Sequence, residues 1–582
     1  MNKLGRTGTA WVGLFAFAAI GCSFEKAGVQ SEMNSCVLDS DCASKHCEAG
    51  LCVMTGAQPL NVTLEVTPKR MPDGSQPFPI VGAPFALQSG SKISFDLSLP
   101  ISVSVNVHDD DMRFDAQVTF QPSSDSNFVA TSTQVTINTS ASAPATNVSV
   151  LLLDGLDYNV LVQPLDQSQP PHTTTLHVMA GAALDIDYAN VKWRDRKFVV
   201  HNPPSGPLML RARAANGGPL VSNSVPIDDS GKAALRFDEG SAPYQVEVTT
   251  ADMARPASDA ASCSQTAPLI PTLSIAGSAL LADKSDANAL AIQLPDLPAA
   301  VNYSGAVSLC ADQMPTMPTL TSLPMSLKTT VLNFGSDSQM VSASFETASQ
   351  ATWDDDSKSY TFCTRVLPGD YVVIVTPPAN INCEIFSERR LLAPEPGMDI
   401  EDAALALRTP ATLSGTIMTP DGTAMANATI DLIALGLADV TLAVNDPTVP
   451  LYNRSRQSIS AANGSFKIQP DVGSYDFVVK PPTQSNFAWR VIYDVDVASR
   501  TAAFATVVNL SAPVAVTGTL HYADGSKSDQ STLASAEVHA YTVVNEGQPT
   551  ARSIEIARTQ ADANGNITLL MSPDLQKNWI PQ

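Results

Sequence analysis

The residues of this chain best suited to chemistry are its nine cysteines. Four of them, Cys36, Cys42, Cys47 and Cys52, lie within the segment CVLDSDCASKHCEAGLC, separated by five, four and four residues. So short a segment cannot bury a core, and we expect two disulfides to hold it together. A zinc site is the alternative, although the segment lacks the CxxC pairs typical of structural zinc.

Four further cysteines, Cys263, Cys310, Cys363 and Cys383, are spread along the chain and allow three pairings. We favour Cys363 with Cys383, which would bracket the strand around Tyr371. Cys310 would then pair with Cys263 and tie a linker to the module that follows it.

Catalytic motifs are missing from the sequence. The seven histidines never form HExxH, and neither GxSxG nor GxxxxGK[ST] occurs. His172 and His177 are interpreted as surface-loop residues. We therefore expect no catalytic residues, no metal and no cofactor.

Two acidic runs, 109–111 and 354–356, offer the oxygen ligands that calcium prefers. Their positions in the repeat described below favour solvated turns, with calcium binding as the alternative. Trp193, Trp353 and Trp489 lie among apolar residues, which indicates core or inter-module packing instead of a carbohydrate platform.

The N-terminus has the features of an export signal. Lys3 and Arg6 precede an apolar run over 10–20, which is too short to span a bilayer. The run ends in Ala-Ile-Gly-Cys22, which resembles the lipobox of bacterial lipoproteins. The resemblance implies cleavage before Cys22 and its acylation, and Ser23 in place of Asp favours the outer membrane. The alternative is an ordinary signal peptide, with Cys22 in a disulfide.

With Cys22 acylated, eight cysteines remain that can all pair in an oxidising compartment. The segment 36–52, with Asp39, Asp41 before Cys42 and Gly50 near its end, resembles short Cys-rich motifs of surface lipoproteins in Gram-negative bacteria. That resemblance implies no activity.

Composition indicates β structure in several domains. The 582 residues predict about four domains at roughly 150 residues each. Charged residues are only 16%, hydrophobic residues reach 44% and there are 42 prolines. A net charge of -23 without a basic stripe argues against binding to nucleic acid. A long apolar run occurs only in the first residues.

An internal repeat organises the rest of the chain. Its opening strand alternates apolar residues around a proline, as in DLSLPISVSVNV from 96, QLPDLPAAVNYSGAV from 293, LALRTPATLSGTI from 405 and VVNLSAPVAVTGTL from 507. A late turn contains Gly231, Gly464 or Gly565. A closing strand carries Tyr158, Tyr244, Tyr371 or Tyr475 shortly after a glycine. The spacing of roughly 100 residues matches one seven-strand sandwich.

The copy over 411–482 resembles the carboxypeptidase regulatory-like domain, a prealbumin-like β-sandwich. The similarity rests on Gly415-Thr416, the Asp421-Gly422 turn, ANGSFKI and GSYDFVVKPP. The copy from 513 matches this pattern but lacks the closing Gly-x-Tyr strand; its matching residues are Gly518, Asp524, Gly525, Ala536, Val538, Asn564 and Gly565. It is therefore either incomplete or borrows a strand from elsewhere.

The sequence thus predicts an all-β chain of tandem prealbumin-like, Greek-key β-sandwich modules after a small disulfide-rich head. The predicted parts are a signal peptide (1–21), a tether (22–35), the Cys-rich motif (36–53), module one (58–195), module two (196–260), a linker (261–297), module three (298–409), module four (410–510) and an incomplete module five (511–582).

The predicted function is a non-enzymatic envelope lipoprotein that displays these modules for adhesion, binding or spacing. Its partners would be the bilayer, through acylated Cys22, and a protein or carbohydrate ligand. The alternative is an accessory or docking subunit of a secreted enzyme or envelope complex.

Overall fold

The computed structural model describes 47–48, 51–52, 60–69, 79–82, 84–87, 92–97, 100–110, 112–123, 132–137, 148–215, 218–238, 243–250, 263, 269–310, 321–329, 332–334, 341–357, 359–378, 381–394, 398–435, 453–497, 503–522, 533–548 and 550–577. Within these ranges there are 43 strands, and Gly277–Ala279 forms a short 3₁₀ helix. The all-β prediction is confirmed.

The chain divides into two units, Met1–Gln58 and Pro59–Gln582. In the first unit, β1 (Cys47–Glu48) pairs antiparallel with β2 (Leu51–Cys52), and Cys47 lies opposite Cys52. Cys22, Cys36 and Cys42 lie outside the described residues, as do the predicted signal peptide and tether.

The second unit begins with four strands over 60–97, which we call the N-terminal segment. They are β3 Asn61–Thr67, β4 Ile80–Val81, β5 Phe85–Ala86 and β6 Lys92–Leu97.

The first sandwich (100–192) follows. Its strands are β7 Ile101–Asp109, β8 Met112–Arg113, β9 Ala116–Pro122, β10 Thr133–Ile137, β11 Val148–Leu152, β12 Asp157–Pro164, β13 His172–His177 and β14 Ala183–Asp187. They form the sheets β10-β9-β12-β13 and β11-β7-β14, with β8 beside β7. Val103, Val105 and Val107 point into the core in the period-two pattern expected for a half-buried strand.

The second sandwich (193–297) contains β15 Trp193–His201, β16 Leu208–Ala214, β17 Val225–Pro226, β18 Lys232–Asp238, β19 Tyr244–Thr250, β20 Thr272–Ala276, β21 Leu281–Ala282 and β22 Ala289–Gln293. One sheet is β18-β15-β22-β21. The other, β17-β16-β19-β20, is extended by a hairpin that comes from the third sandwich.

The third sandwich (301–407) contains β23 Val301–Ser308, β24 Ser322–Thr329, β25 Leu332–Phe334, β26 Val341–Ser344, β27 Glu346–Asp354, β28 Ser359–Val366, β29 Gly369–Val375, β30 Phe386–Leu392 and β31 Ile400–Ala406. The hairpin β25-β26 pairs with β20 of the second sandwich. The other seven strands form one continuous sheet, because the long strand β27 pairs first with β24 and then, from Thr352, with β28.

The fourth sandwich (411–510) contains β32 Thr412–Met418, β33 Thr429–Ala434, β34 Arg456–Ile459, β35 Ser465–Ile468, β36 Gly473–Lys480, β37 Arg490–Val497 and β38 Ala503–Asn509. Its sheets are β35-β32-β38 and β34-β33-β36-β37.

The fifth sandwich combines residues from two distant parts of the chain, 60–97 and 513–577. Its later strands are β39 Val514–Tyr522, β40 Glu537–Val544, β41 Arg552–Gln560, β42 Asn566–Met571 and the short β43 Gln576–Lys577, which pairs with β37. The sheets are β42-β39-β6 and β4-β3-β40-β41, with β5 beside β3.

In four sandwiches the opening strand pairs in parallel with the last strand of the same sandwich, and in the fifth it pairs in parallel with β6 of the N-terminal segment. The pairs are β7 with β14, β15 with β22, β23 with β31, β32 with β38, and β39 with β6. The fifth sandwich therefore has the strand plan of the fourth, with β3 in the place of β36 and β6 in the place of β38.

The late turn requires glycine. Gly231 and Gly464 have φ values of +78° and +74°, and a Cβ atom would lie 2.4 and 2.6 Å from the carbonyl oxygens of Val200 and Ile417. Those opening-strand residues donate their N–H groups to the two glycine carbonyls. The turn thus docks on the opening strand, and a larger residue would clash there.

The closing-strand tyrosine forms a corner. The hydroxyls of Tyr371 and Tyr475 donate to the carbonyl oxygens of Leu367 and Asp471, four residues earlier, at 2.7 and 2.8 Å. The hydroxyl of Tyr158 accepts the N–H of Leu153 at 3.1 Å. Both geometries fix the turn before the strand against the core.

The sheets correct two predicted boundaries. Module one does not begin at 58, because strands within 60–97 pair with β39 and β40 and share their core. The stretch 261–297 is not a linker, because β20 and β22 complete the second sandwich, and Ala279–Leu290 forms part of a strand pair. In the fifth sandwich, β3 and β6 of the N-terminal segment occupy the places that β36 and β38 have in the fourth.

Candidate functional site

The disulfides differ from the favoured pairing. Cys263 is bonded to Cys363 and Cys310 to Cys383, with Cα atoms 5.5 and 5.7 Å apart. The pairing of Cys363 with Cys383 was wrong because Cys363 lies on β28, whereas Cys383 precedes β30 and lies against Cys310 at the end of β23. The first bond joins a residue between β19 and β20 of the second sandwich to the third.

The strongest polar cluster joins the third sandwich to the fourth, and we call it the third–fourth joint. The guanidinium of Arg454 donates from Nε to Asp471 Oδ2 at 2.9 Å and from Nη2 to Asp471 Oδ1 at 2.8 Å. The same group reaches across the boundary to the carbonyl oxygens of Pro377 and Cys383 at 2.9 and 2.6 Å. Arg454 therefore makes hydrogen bonds to both the third and the fourth sandwich.

Two buried carboxylates also accept hydrogen bonds across this boundary, one from each sandwich. Asp471 is fully buried and accepts the N–H of Ile385 at 3.2 Å. Glu384, which is also buried, accepts the N–H of Val472 at 3.0 Å. Burial and the neighbouring charge of Arg454 lower the pKa of Arg456, which lies 3.9 Å from Asp471. Arg454 and Arg456 thus both lie close to the buried carboxylate of Asp471, and Arg454 is its hydrogen-bonded partner.

The fourth–fifth joint uses the same chemistry. Arg552 of the fifth sandwich donates to Asp476 at 2.5 and 3.1 Å and to Asp494 at 2.8 Å. Burial alone would lower the pKa of Arg552, but these bonds outweigh it and raise the pKa. Arg490 of the fourth sandwich donates to Asp574 at 3.0 Å, and Val478 and Val491 belong to the fifth core.

The first and second sandwiches meet near His172. Its Nδ1 lies 2.7 Å from Asp238 Oδ2, and its ring packs edge-on against Tyr188 and Trp193. His172 and His177 were expected in a loop, but they begin and end strand β13. The first sandwich also contacts the fifth, because buried Leu153 belongs to the fifth core.

A polar cluster covers the outer face of the fifth sandwich where the N-terminal segment joins it. Nδ1 of His539 lies 2.8 Å from Glu555 Oε1, and Arg558 donates to both oxygens of Glu555. Burial would raise the pKa of Glu555, but the bonds from His539 and Arg558 outweigh it and lower the pKa to about 2. Glu65 of β3 lies opposite His539.

The described residues of the two acidic runs lie at strand ends and in the turns that follow: Asp109 ends β7 and Asp354 ends β27. Asp110 follows β7, and its N–H donates to Asp187 at 3.1 Å, whereas Asp111 is outside the described residues. In the turn after β27, Asp354 accepts the N–H of Asp356 at 3.0 Å and Asp355 accepts Trp353 Nε1 at 2.8 Å. Within the described ranges, no group of three or more His, Cys, Asp or Glu side chains could hold a metal ion.

The tryptophans pack as predicted. Trp193 packs against the first core and donates from Nε1 to the carbonyl of Tyr188 at 3.0 Å, and Trp353 packs on the third core. Trp489 of the fourth sandwich packs on the fifth core. No helix in the described part of the chain is long and apolar enough to cross a membrane.

Sequence reasoning missed both joints. Asp471 lies two residues before the Gly473-x-Tyr475 motif, and Arg454 follows a stretch without any motif. Nothing in the local sequence distinguishes these residues from exposed charged side chains. Their function depends on the neighbouring sandwich.

No family model and no curated protein match the sequence. The structural neighbours include a streptococcal ancillary pilin, at 10% identity, covering 55% of this chain and 98% of that one, with a TM-score of 0.20. They also include BcpA, the major pilin subunit of Bacillus cereus, at 10% identity, 55% and 100% coverage and a TM-score of 0.14. Two B repeat units of the collagen binding protein of Staphylococcus aureus have 11% identity, 71% and 100% coverage and a TM-score of 0.13. At these TM-scores the neighbours carry no inference about function.

Proposed function

We propose that the chain is a non-enzymatic lipoprotein of the outer membrane that displays jointed β-sandwiches as a binding surface. Cys22 would carry the lipid, and a protein or carbohydrate would bind to loops or strand edges of the array. The observation that best supports this proposal is the set of joints between neighbouring sandwiches. The buried charged clusters around Asp471 and Asp476 connect one sandwich with the next.

The closure of the fifth sandwich favours binding over spacing. In a linear spacer the anchored end and the later modules would be separated by the whole array. Here residues 60–97, which follow the predicted tether and head, lie in the same sandwich as 513–577. A chain whose early and late residues share one sandwich is better suited to presenting the surfaces of its sandwiches than to acting as an extended spacer.

Membrane fractionation tests the anchor. The wild type should fractionate with the outer membrane, and Cys22→Ala should be released as a soluble protein. Ser23→Ala is the matched control and should behave as the wild type, whereas Ser23→Asp should stay membrane-bound but move to the inner membrane. If Cys22→Ala remained in the membrane fraction, the lipid anchor would be wrong.

Crosslinking in intact cells tests the display function. A binding surface displayed by the cell should be cleaved by protease added from outside. It should also crosslink to ligand captured from the environment. An accessory subunit should instead crosslink to one envelope protein in constant ratio. Turnover of any substrate by the purified ectodomain would overturn the non-enzymatic assignment.

A further inference from the structure

The two described disulfides lie in different environments. Cys310 and Cys383 belong to the core of the third sandwich, where they are 3% and 0% exposed. Cys263 and Cys363 are both half-buried. A thiol opens a disulfide only where it can reach a sulfur atom, so the Cys263–Cys363 bond is the more accessible of the two.

Cys363 lies on the outer face of β28. Tyr360 and Phe362 are buried in the third core, whereas Thr361 and Cys363 alternate with them and are half-buried. Successive side chains of a strand point to opposite faces of the sheet. A reagent can therefore approach the Cys363 sulfur from outside the sheet, without passing through the core.

The two bonds also differ in what they connect. Cys263 lies in the second sandwich, nine residues before Thr272, the first residue of β20, and its partner Cys363 lies in the third. Cys310 and Cys383 both lie in the third sandwich. Opening the first bond therefore changes how two sandwiches are attached, whereas opening the second changes the interior of one.

The accessible bond reinforces a short strand pairing between the same two sandwiches. We call the pairing and the bond together the second–third joint. Strand β20 pairs antiparallel with β26 over three residue pairs, 272–274 opposite 342–344, and Val341 and Ala343 pack in the second core. So short a pairing should open locally more often once the covalent link is removed.

We propose that Cys263–Cys363 is a thiol-exchange site, at which a dithiol loosens the second–third joint while Cys310–Cys383 stays intact. The site goes beyond the proposed function and does not depend on the lipid anchor. The joint would then have an oxidised, fixed form and a reduced, loosened form.

The exchange proceeds in two steps. A thiolate of the dithiol attacks one sulfur of the Cys263–Cys363 bond, which forms a mixed disulfide and releases the other cysteine as a thiolate. The second thiol of the reductant loses its proton and attacks the mixed disulfide, which releases the remaining cysteine. Two electrons and two protons pass to the cysteines, and the dithiol is oxidised to its own disulfide.

Dithiothreitol is the probe for selective reduction. The purified full-length protein is held at one concentration of dithiothreitol, samples are alkylated at intervals, and each cysteine is quantified by peptide mass spectrometry. The thiols of Cys263 and Cys363 should appear about tenfold faster than those of Cys310 and Cys383. In denaturing urea, the control, the two bonds should open at similar rates because unfolding removes the difference in access. Equal rates in the folded protein, or faster opening of Cys310–Cys383, would overturn the proposal.

Hydrogen exchange tests whether the bond controls the joint. After selective reduction and alkylation, amides of 272–276 and 341–344 should exchange about tenfold faster, whereas 473–480 of the fourth sandwich should be unchanged. The double variant Cys263→Ser, Cys363→Ser should exchange in the same way without reductant, which excludes an effect of the alkyl groups.

Ser304→Ala is the matched control, because Ser304 lies opposite Cys363 on β23 and its replacement leaves the bond in place. It should exchange as the wild type does. If 272–276 and 341–344 exchanged at the wild-type rate both in the reduced protein and in the double serine variant, the bond would not control the joint and the proposal would be wrong. The anchoring experiments would be unaffected by either result.

Discussion

The hydroxyl of Thr542 donates a 2.8 Å hydrogen bond to the carbonyl oxygen of Asn61, 481 residues earlier in the chain. This bond joins β40 to the start of β3, so the fifth sandwich cannot form before both have been synthesised. Closing so long a separation is entropically costly unless the intervening sandwiches have already folded. We therefore expect the fifth sandwich to fold last.

Leu64→Ala should destabilise the fifth sandwich and leave the first unchanged. Leu64 is fully buried in the fifth core, and truncating such a leucine costs about 2–5 kcal/mol. Hydrogen exchange with mass spectrometry should show faster exchange in 514–522 and 537–544 but not in 101–109. Val105→Ala, in the first core, should speed exchange in 101–109 and leave 514–522 and 537–544 unchanged. Faster exchange confined to 101–109 in Leu64→Ala would contradict the assignment of β3.

Arg454→Met should open the third–fourth joint. It leaves the fully buried carboxylate of Asp471 without its main charge partner, which costs about 3–5 kcal/mol. Denaturant unfolding and exchange in 473–480 measure the effect. The control is Arg236→Met, because the Arg236–Asp195 pair is exposed and contributes about 1 kcal/mol or less. Equal effects of the two substitutions would argue against a structural joint.

Tyr475→Phe should cost about 1 kcal/mol in the fourth sandwich, because it removes one buried hydrogen bond to Asp471 O. Tyr244 provides the comparison: its hydroxyl oxygen is buried and has no partner among the described residues. Tyr244→Phe should therefore be neutral or slightly stabilising. Urea midpoints of the two variants should differ in this order, and a larger loss in Tyr244→Phe would refute the corner geometry.

The sequence predicted features that depend on a few neighbouring residues. The positive φ of Gly231 and Gly464 follows from Asp-Ser-Gly and Asn-Gly turns between apolar alternations, and Tyr371 and Tyr475 mark closing strands by the glycine before them. These signals are local because turn chemistry and strand periodicity act over a few residues.

The partners of strands and of cysteines could not be predicted from local sequence in the same way. The alternation in Asn61–Thr67 defines a buried face but does not specify the sheet that receives it. Cys363 and Cys383 are close in sequence, yet the register of β23 with β28 and the position of Cys310 decide the disulfides. Asp471 resembles any turn aspartate until the third sandwich is placed against it.

The stability of the fifth sandwich should peak at mildly acidic pH. The bond to Glu555 is the largest effect that raises the pKa of His539 above 6.5. A raised pKa means stability that is complete below 6.5 and lost as pH rises through the folded value. Burial raises the pKa of Glu65 above 4.5, so its contribution is complete below 4.5 and is lost as pH rises from 4.5 through the folded value.

Glu555 acts in the opposite direction. Its pKa falls from 4.5 to about 2, so its contribution is complete above 4.5 and is lost as pH falls toward 2. Amide exchange in 537–544, corrected for intrinsic rates, should therefore be slowest at mildly acidic pH: it should quicken as Glu555 is protonated below 4.5, and it should quicken again as first Glu65 and then His539 lose their protons at higher pH. Glu555→Gln removes the partner of His539 and should flatten the profile on both sides, whereas 157–164 of the first sandwich should respond identically in both proteins. An unchanged profile in Glu555→Gln would show that this cluster does not control the attachment of the N-terminal segment.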